Sequence, residues 1–254
     1  MSWKHSVWRF VAKAYAVVPS SRLSGLRILT YHSVDSVLAD DVYGLSVKAA
    51  VFRSQMEWVA AGRFGRPTSI GGARLDGSAE IAISFDDGFL DTLTHAAPIL
   101  ADLKVPFTAA VTKTFVAGGK APHMSVAQLR ELAQVPGAEI GAHGAAHLRL
   151  AEAPDAELAA DLAASRAFVE DALGRECRVM TWPHGSASRR AAAAAKAAGF
   201  SRAGCSLYGV NEPGREPLLL KRTEVVSFDS MSDFESKCAG GWDFFALRQG
   251  DPAA

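Results

Sequence analysis

In the stretch Glu80-Ile81-Ala82-Ile83-Ser84-Phe85-Asp86-Asp87-Gly88, an apolar run of strand length ends in two adjacent carboxylates and a turn-forming glycine. An apolar, β-branched run bounded by Asp-Gly reads as a strand buried on both faces. Six more runs of this kind recur: Leu26 to Tyr31, Pro106 to Thr112, Ala138 to Ala142, Cys177 to Trp182, Phe200 to Cys205 and Leu218 to Val225. Helical patterns follow most of them, over Val47 to Ala61 behind a Ser46 cap, Leu90 to Leu103, Val126 to Gln134 behind Ser125, Ala156 to Leu173, Ala187 to Ala198 and Met231 to Cys238. Pro98 predicts a bend or early end in the second of these, and Gly174 closes the fourth. Alternation of strand and helix predicts a parallel sheet with helices outside. Seven or eight such units point to a barrel of the (β/α) type, complete or not, with a doubly wound open sheet as its competitor.

Charge and composition narrow the function. The 254 residues carry 27 Lys plus Arg against 27 Asp plus Glu, so no net positive field is available to hold nucleic acid. With 49% hydrophobic and 21% charged residues, the chain is neither disordered nor fibrous. Cys177, Cys205 and Cys238 are far apart and in no C-x-x-C pair, which disfavours a disulfide framework or a cysteine zinc site. They read as small buried hydrophobes of a reducing compartment, and the expected location is cytoplasmic. Between Trp3 and Val18 the apolar residues are broken by Arg9 and Lys13, too short a run to span a bilayer. That segment predicts an amphipathic helix, lying either on the inner membrane face as a peripheral contact or on the domain itself. Residues 1–25 are accordingly an extension and 26–245 a single domain.

Chemistry-bearing residues gather at predicted strand ends, where a barrel keeps its catalytic groups. Asp86 and Asp87 leave the strand together, and alternation predicts that they point opposite ways, giving them different tasks. A plain Asp-Gly turn is the bland reading of that motif alone. His143-Gly144-Ala145-Ala146-His147 follows the strand Ala138 to Ala142, and i, i+4 spacing on a helical turn brings both imidazoles to one side. With a nearby carboxylate they form a 2-His-1-carboxylate set that zinc, iron, nickel or cobalt would accept. His32 closes Leu29-Thr30-Tyr31-His32, and His184 lies in Trp182-Pro183-His184-Gly185; either alone reads as structural, and position at strand ends raises both.

Taken together, these motifs resemble the polysaccharide deacetylase family, the carbohydrate esterases that share a NodB homology domain. Ser84-Phe85-Asp86-Asp87-Gly88 matches its first motif, His143 to His147 is similar to its H-[ST]-x-x-H motif, and Met180-Thr181-Trp182-Pro183-His184-Gly185 is similar to its third. The resemblance covers about Arg27 to Val226 and implies a distorted (β/α)7 barrel. It further implies Asp86 as general base, and Asp87, His143 and His147 as ligands of a divalent metal, zinc first and cobalt, nickel or iron after it. No His follows His184, so the C-terminal acid of many members is missing. The Tyr31-His32 pair is similar to the branch of poly-N-acetylglucosamine deacetylases and implies His32 as general acid. Gly144 stands where the family has Ser or Thr, and Thr181 where many members have an Arg that orients the base; Arg222, on the last predicted strand, is the candidate to hold Asp86 instead.

The implied reaction is metal-dependent removal of N-acetyl groups from hexosamine units of a polysaccharide, oligosaccharide or lipid-linked precursor. Tyr31, Phe89, Trp182, Pro183, His184 and Tyr208 are the candidate sugar contacts, with ordinary packing as the competing reading of the aromatic ones. Two alternatives stay open: a hydrolase of a non-sugar amide or imide, and a catalytically silent carbohydrate-binding module. The oligomeric state is not legible.

Overall fold

In the computed structural model, which describes residues 24–38 and 41–253, eleven strands follow in chain order. They are β1 (Leu26–Tyr31), β2 (Ser33–Val34), β3 (Ser46–Val47), β4 (Arg66–Thr68), β5 (Glu80–Phe85), β6 (Phe107–Val111), β7 (Ala138–Ala142), β8 (Val179–Thr181), β9 (Arg202–Gly204), β10 (Val210–Asn211) and β11 (Thr223–Glu224). β1 and β5 pair in parallel along their whole length, Leu26 opposite Glu80 through Tyr31 opposite Phe85. From there the sheet runs β5-β6-β7-β8-β9, every pair parallel.

The last strand decides between barrel and open sheet. Leu29 and Thr30 of β1 pair with Thr223 and Glu224 of β11, while Leu220, just upstream, bridges in parallel to Gly204 of β9. Leu220 accepts from the Cys205 amide and donates to Ala203, so one short segment touches both edges of the sheet and closes it. Seven strands thus form the ring, β1, β5 to β9 and β11, thinnest at the β9 side. β4 and the antiparallel β10 extend it at its lower rim, beside the first residues of β5 and β1.

Period-2 alternation sorts each strand's side chains between the two faces. Inside the lower barrel Leu26, Ile28, Ala82, Val179 and Leu220 pack with Ile70 and Ala73. Two residues further along the same face, Thr30 and Ser84 turn the interior polar, and Ser84 Oγ bonds Leu29 O. The outward face packs under the helices: Tyr31 is fully buried, its ring edge-on to Phe52 at 5.1 Å and stacked on Phe85 at 5.7 Å, with its hydroxyl on Gln55.

Local signals placed most helix starts. Ser125 caps Val126–Leu132 in a capping box with Gln128, Ser188 caps Arg189–Ala197, and Ser230 caps Met231–Cys238 in a box with Asp233. The long helix Asp155–Leu173 ends at left-handed Gly174. One expectation is corrected. Ser46 does not cap a helix: its hydroxyl donates to Ser36 O, it belongs to β3, and Ala49–Ala60 starts behind Lys48 with no side-chain cap. The stretch from Leu90 to Leu103 is helical as expected, with a π segment, Thr92–Ala96, that runs directly into Ala97–Asp102, so the widened turn lies just before Pro98.

The extension expected over 3–18, like almost all of 1–25, lies outside the described residues. At the other end the chain stays on the domain past Phe245. Gln249 bonds Ser206 O and the Tyr208 amide, and Asp251 pairs with Arg215. No helix among the described residues is long and apolar enough to cross a membrane.

All three cysteines are buried free thiols. Burial pushes Cys177 and Cys238 up to about 12 and raises Cys205 as well, so all three stay neutral thiols at pH 8. A colorimetric thiol titration at pH 8 should therefore read close to zero in the folded protein and 3 per chain in guanidinium. Phe107, buried where β6 meets its helices, should cost about 3–5 kcal/mol on replacement by Ala in a denaturant titration.

Candidate active site

Asp86 and Asp87 lie where β5 leaves the ring. The expectation that they point opposite ways does not hold, because Asp87 is not in a strand conformation. Its φ is +72°, in the left-handed region that non-glycine residues rarely adopt, so both carboxylates turn into one cleft. Such strain is held only where surrounding structure enforces it. His147 and His184 share this backbone region, each at φ +56°.

The two histidines are also brought together differently from the helical turn expected. His143 ends β7, and the next residues form an irregular loop whose Ala145 and Ala146 amides both donate to Asp161, at 2.8 and 2.9 Å. The loop's other side is tied to the first turn of the helix Lys113–Gly118, whose Lys113 and Thr114 amides donate to Gly144 O and Ala145 O. Gly144 has φ +73°, and a Cβ there would lie 3.0 Å from Pro183 and 3.1 Å from Asp161. That crowding and that backbone favour glycine at this position.

His143 and His147 bring their Nε2 atoms to 3.4 and 3.2 Å from the same atom, Asp87 Oδ1. That oxygen is buried and has no hydrogen-bond partner. One ligand atom from each of the three residues falls within 4.8 Å of the others. Burial lowers the His143 pKa despite the pull of Asp86 and Asp87, which keeps the ring neutral, the form that binds a cation. Two imidazole nitrogens with an orphaned buried carboxylate oxygen between them fit a divalent metal.

Asp86 is held quite differently. Burial alone would raise its carboxyl, but Arg222 and the neighbouring imidazoles outweigh burial and hold it well below the usual range. Arg222 grips both oxygens, Nη1 to Oδ1 and Nη2 to Oδ2, each at 2.8 Å, and Thr181 Oγ1 donates to Oδ1 at 2.9 Å. The Arg222 stem crosses Gly204, where a Cβ would come within 2.4 Å of its Cδ. Any side chain on that residue of β9 would push the guanidinium off Asp86.

His32, at the end of β1, lines the same cleft. Its Nδ1 is buried without a hydrogen bond and stands 4.0 Å from Glu224 Oε1. The sequence reading missed Glu224, although a signal existed: it lies two residues beyond Arg222 on the strand expected over Leu218 to Val225, a spacing that predicts the same face. Asp161 carried no such signal, since only the fold brings its helix beneath the histidine loop.

The cleft measures about 310 Å³ and brings together Asp86, Asp87, His143, His147, His32, Arg222, Trp182, His184 and Tyr208 from the sequence-derived set. Leu45, Ser206 and Gln249 join its walls without having been singled out. Trp182 is buried, its Nε1 donating to Leu218 O. His184 is exposed, with Nε2 3.2 Å from His147 O and its ring 4.3 Å from that of His147. Three expected sugar contacts stand elsewhere. Tyr31 faces the helices because it alternates with Thr30, Pro183 is buried under the histidine loop, and Phe89 stacks on His123 in a column that continues through Phe115 to His147.

A barrel of parallel strands with paired carboxylates and histidines at its carboxyl rim defines the class. Residues 75–203, just over half of the chain, match the family described as Polysaccharide deacetylase, and the chain belongs to that family; its NodB homology domain is the distorted (β/α)7 barrel seen here. No curated protein matches. Among solved structures, the Streptococcus pyogenes deacetylase PplD in complex with acetate is similar with a TM-score of 0.73 at 18% identity, over 84% of this chain and 98% of that one. IcaB from Ammonifex degensii is similar with a TM-score of 0.69 at 24% identity, over 86% and 97%. The BpsB deacetylase domain from Bordetella bronchiseptica reaches 0.66 at 22% identity, over 82% and 97%. At these identities the likeness is one of fold.

Removing one partner of a buried ion pair leaves the other charge uncompensated. Arg222→Met should therefore cost about 3–5 kcal/mol at pH 7 in a urea titration, and adding Asp86→Asn should return part of it. Because the folded-state pKa of Asp86 is depressed, the pair's contribution is present above the ordinary carboxylate value and disappears only in strong acid.

Proposed function

We propose that this protein is a metal-dependent N-deacetylase that releases acetate from N-acetylhexosamine units of a glycan, with zinc as the metal. The observation that carries this reading is the presence in one cleft of an ionised carboxylate locked by Arg222 and, beside it, the Asp87, His143 and His147 set. Family membership supports the substrate class, an N-acetylated glycan. The Tyr31-His32 pair, which no C-terminal His replaces, favours a poly-N-acetylglucosamine type of substrate.

When bound, a divalent cation supplies Lewis acidity that lowers the pKa of water and polarises an amide carbonyl. Asp87, His143 and His147 would hold it. Asp86 is ionised at every pH of interest and accepts a proton from the attacking water. Arg222 and Thr181 keep both its oxygens in place while it does so. His32 delivers a proton to the departing nitrogen, and Glu224 Oε1 lies 4.0 Å from its Nδ1. Expulsion of the amine leaves acetate and a free amino sugar.

Acetate release from N-acetylglucosamine oligomers should vanish on metal stripping and return with zinc. Asp86→Asn should lower kcat by about 10²- to 10⁴-fold with bound zinc unchanged. Turnover of cyclic imides but of no acetylated sugar would overturn the glycan assignment, and zinc binding without turnover of either class would identify a silent binding module.

A further inference from the structure

The Thr181 hydroxyl touches both halves of the site, Asp86 Oδ1 at 2.9 Å and His143 Nδ1 at 2.6 Å. All three residues are buried, Thr181 fully, Asp86 to 3% and His143 to 2% exposure, and Thr181 does not line the cleft, so water does not reach its hydroxyl to supply or take a proton. A hydroxyl has one proton and must donate one of these bonds and accept the other. Both Asp86 oxygens already accept from the Arg222 fork, so the carboxylate has no proton to give. The Thr181 proton therefore goes to Asp86, and the bond to His143 must be donated by Nδ1–H. The Thr181 carbonyl, 3.1 Å from the same nitrogen and able only to accept, demands the same direction.

We propose that Thr181 is a positioning residue that fixes His143 as its Nδ1–H tautomer and leaves Nε2, the atom turned to Asp87, bare for a cation. This rests on reading Asp87, His143 and His147 as a metal set. The competing tautomer is available a short distance away, because Nε2–H could donate to Asp87 Oδ1 at 3.4 Å and would then occupy the atom a metal needs. Thr181, standing where many members of the family have an Arg, thus ties the carboxylate that takes the proton to a ligand of the metal through one O–H. Arg222 takes over the grip on Asp86 from another strand.

The test is nitrogen NMR of the His143 ring in the metal-free full chain, together with zinc competition against a chromogenic chelator, for wild type, Thr181→Val and Thr181→Ser. Wild type should show a single Nδ1–H tautomer. Thr181→Val, of the same shape, removes the 2.6 Å acceptor and leaves only the carbonyl at 3.1 Å, so it should show Nε2–H signal beside the Nδ1–H form and bind zinc about 10- to 100-fold more weakly, and Thr181→Ser should recover both. An Nε2–H ring in wild type, or unchanged tautomer and zinc affinity in Thr181→Val, would overturn the proposal. If Thr181→Val does not fold, the wild-type tautomer and Thr181→Ser decide alone. None of these readouts uses turnover, so a protein inactive on acetylated sugars would refute the function without touching this assignment.

Discussion

The ion pair between Asp86 and Arg222 is the constraint around which the upper barrel is organised. Two charges taken out of water are tolerable only when geometry is close to ideal and remaining hydrogen-bonding capacity is met. Here the guanidinium fork matches the carboxylate face to face, and Thr181 adds a third donor. Meeting that demand fixes other positions: Gly204 must have no side chain, the segment from Leu220 to Glu224 must run between β9 and β1, and Thr181 must end β8. The same segment closes the ring, so barrel closure and placement of the site are one event.

Around this pair the cleft sets two carboxylates in opposite circumstances. Asp86 accepts three hydrogen bonds, two on Oδ1 and one on Oδ2, whereas Asp87 Oδ1 accepts none and faces two imidazole nitrogens. Neighbours in sequence reach these different states because Asp87 is in a left-handed conformation and Asp86 is not. At the barrel rim the histidine loop gets its rigidity from the buried strand β7 on one side and from the Lys113 and Thr114 amides and Asp161 on the other.

Much of this was readable in the chain. The bounds of β1, β5 and β7 follow from mostly apolar runs that end at Gly, Asp or His, because a strand buried on both faces is read from its apolar run and the turn-forming or charged residues that bound it. Ser125 announced a helix start, since a cap bonds only two or three residues ahead, whereas the caps at Ser188 and Ser230 were not singled out. Ser46 looked like such a cap and was not: its hydroxyl found Ser36 O across a loop, a partner no local rule supplies. Tyr31 was expected at the sugar and lies in the core because it alternates with Thr30, whose face the barrel turned inward.

The sequence by itself determined the strand and helix alternation, the family, and the identity of the polar residues that end the strands, because these depend on residue type and short spacing. Only the tertiary structure decided that Arg222 would meet Asp86, that Asp161 would pin the histidine loop, and that one Thr181 proton would link the two halves of the site. Those contacts join residues 15 to 136 positions apart, and pairing at such distances is set by how strands close into a ring.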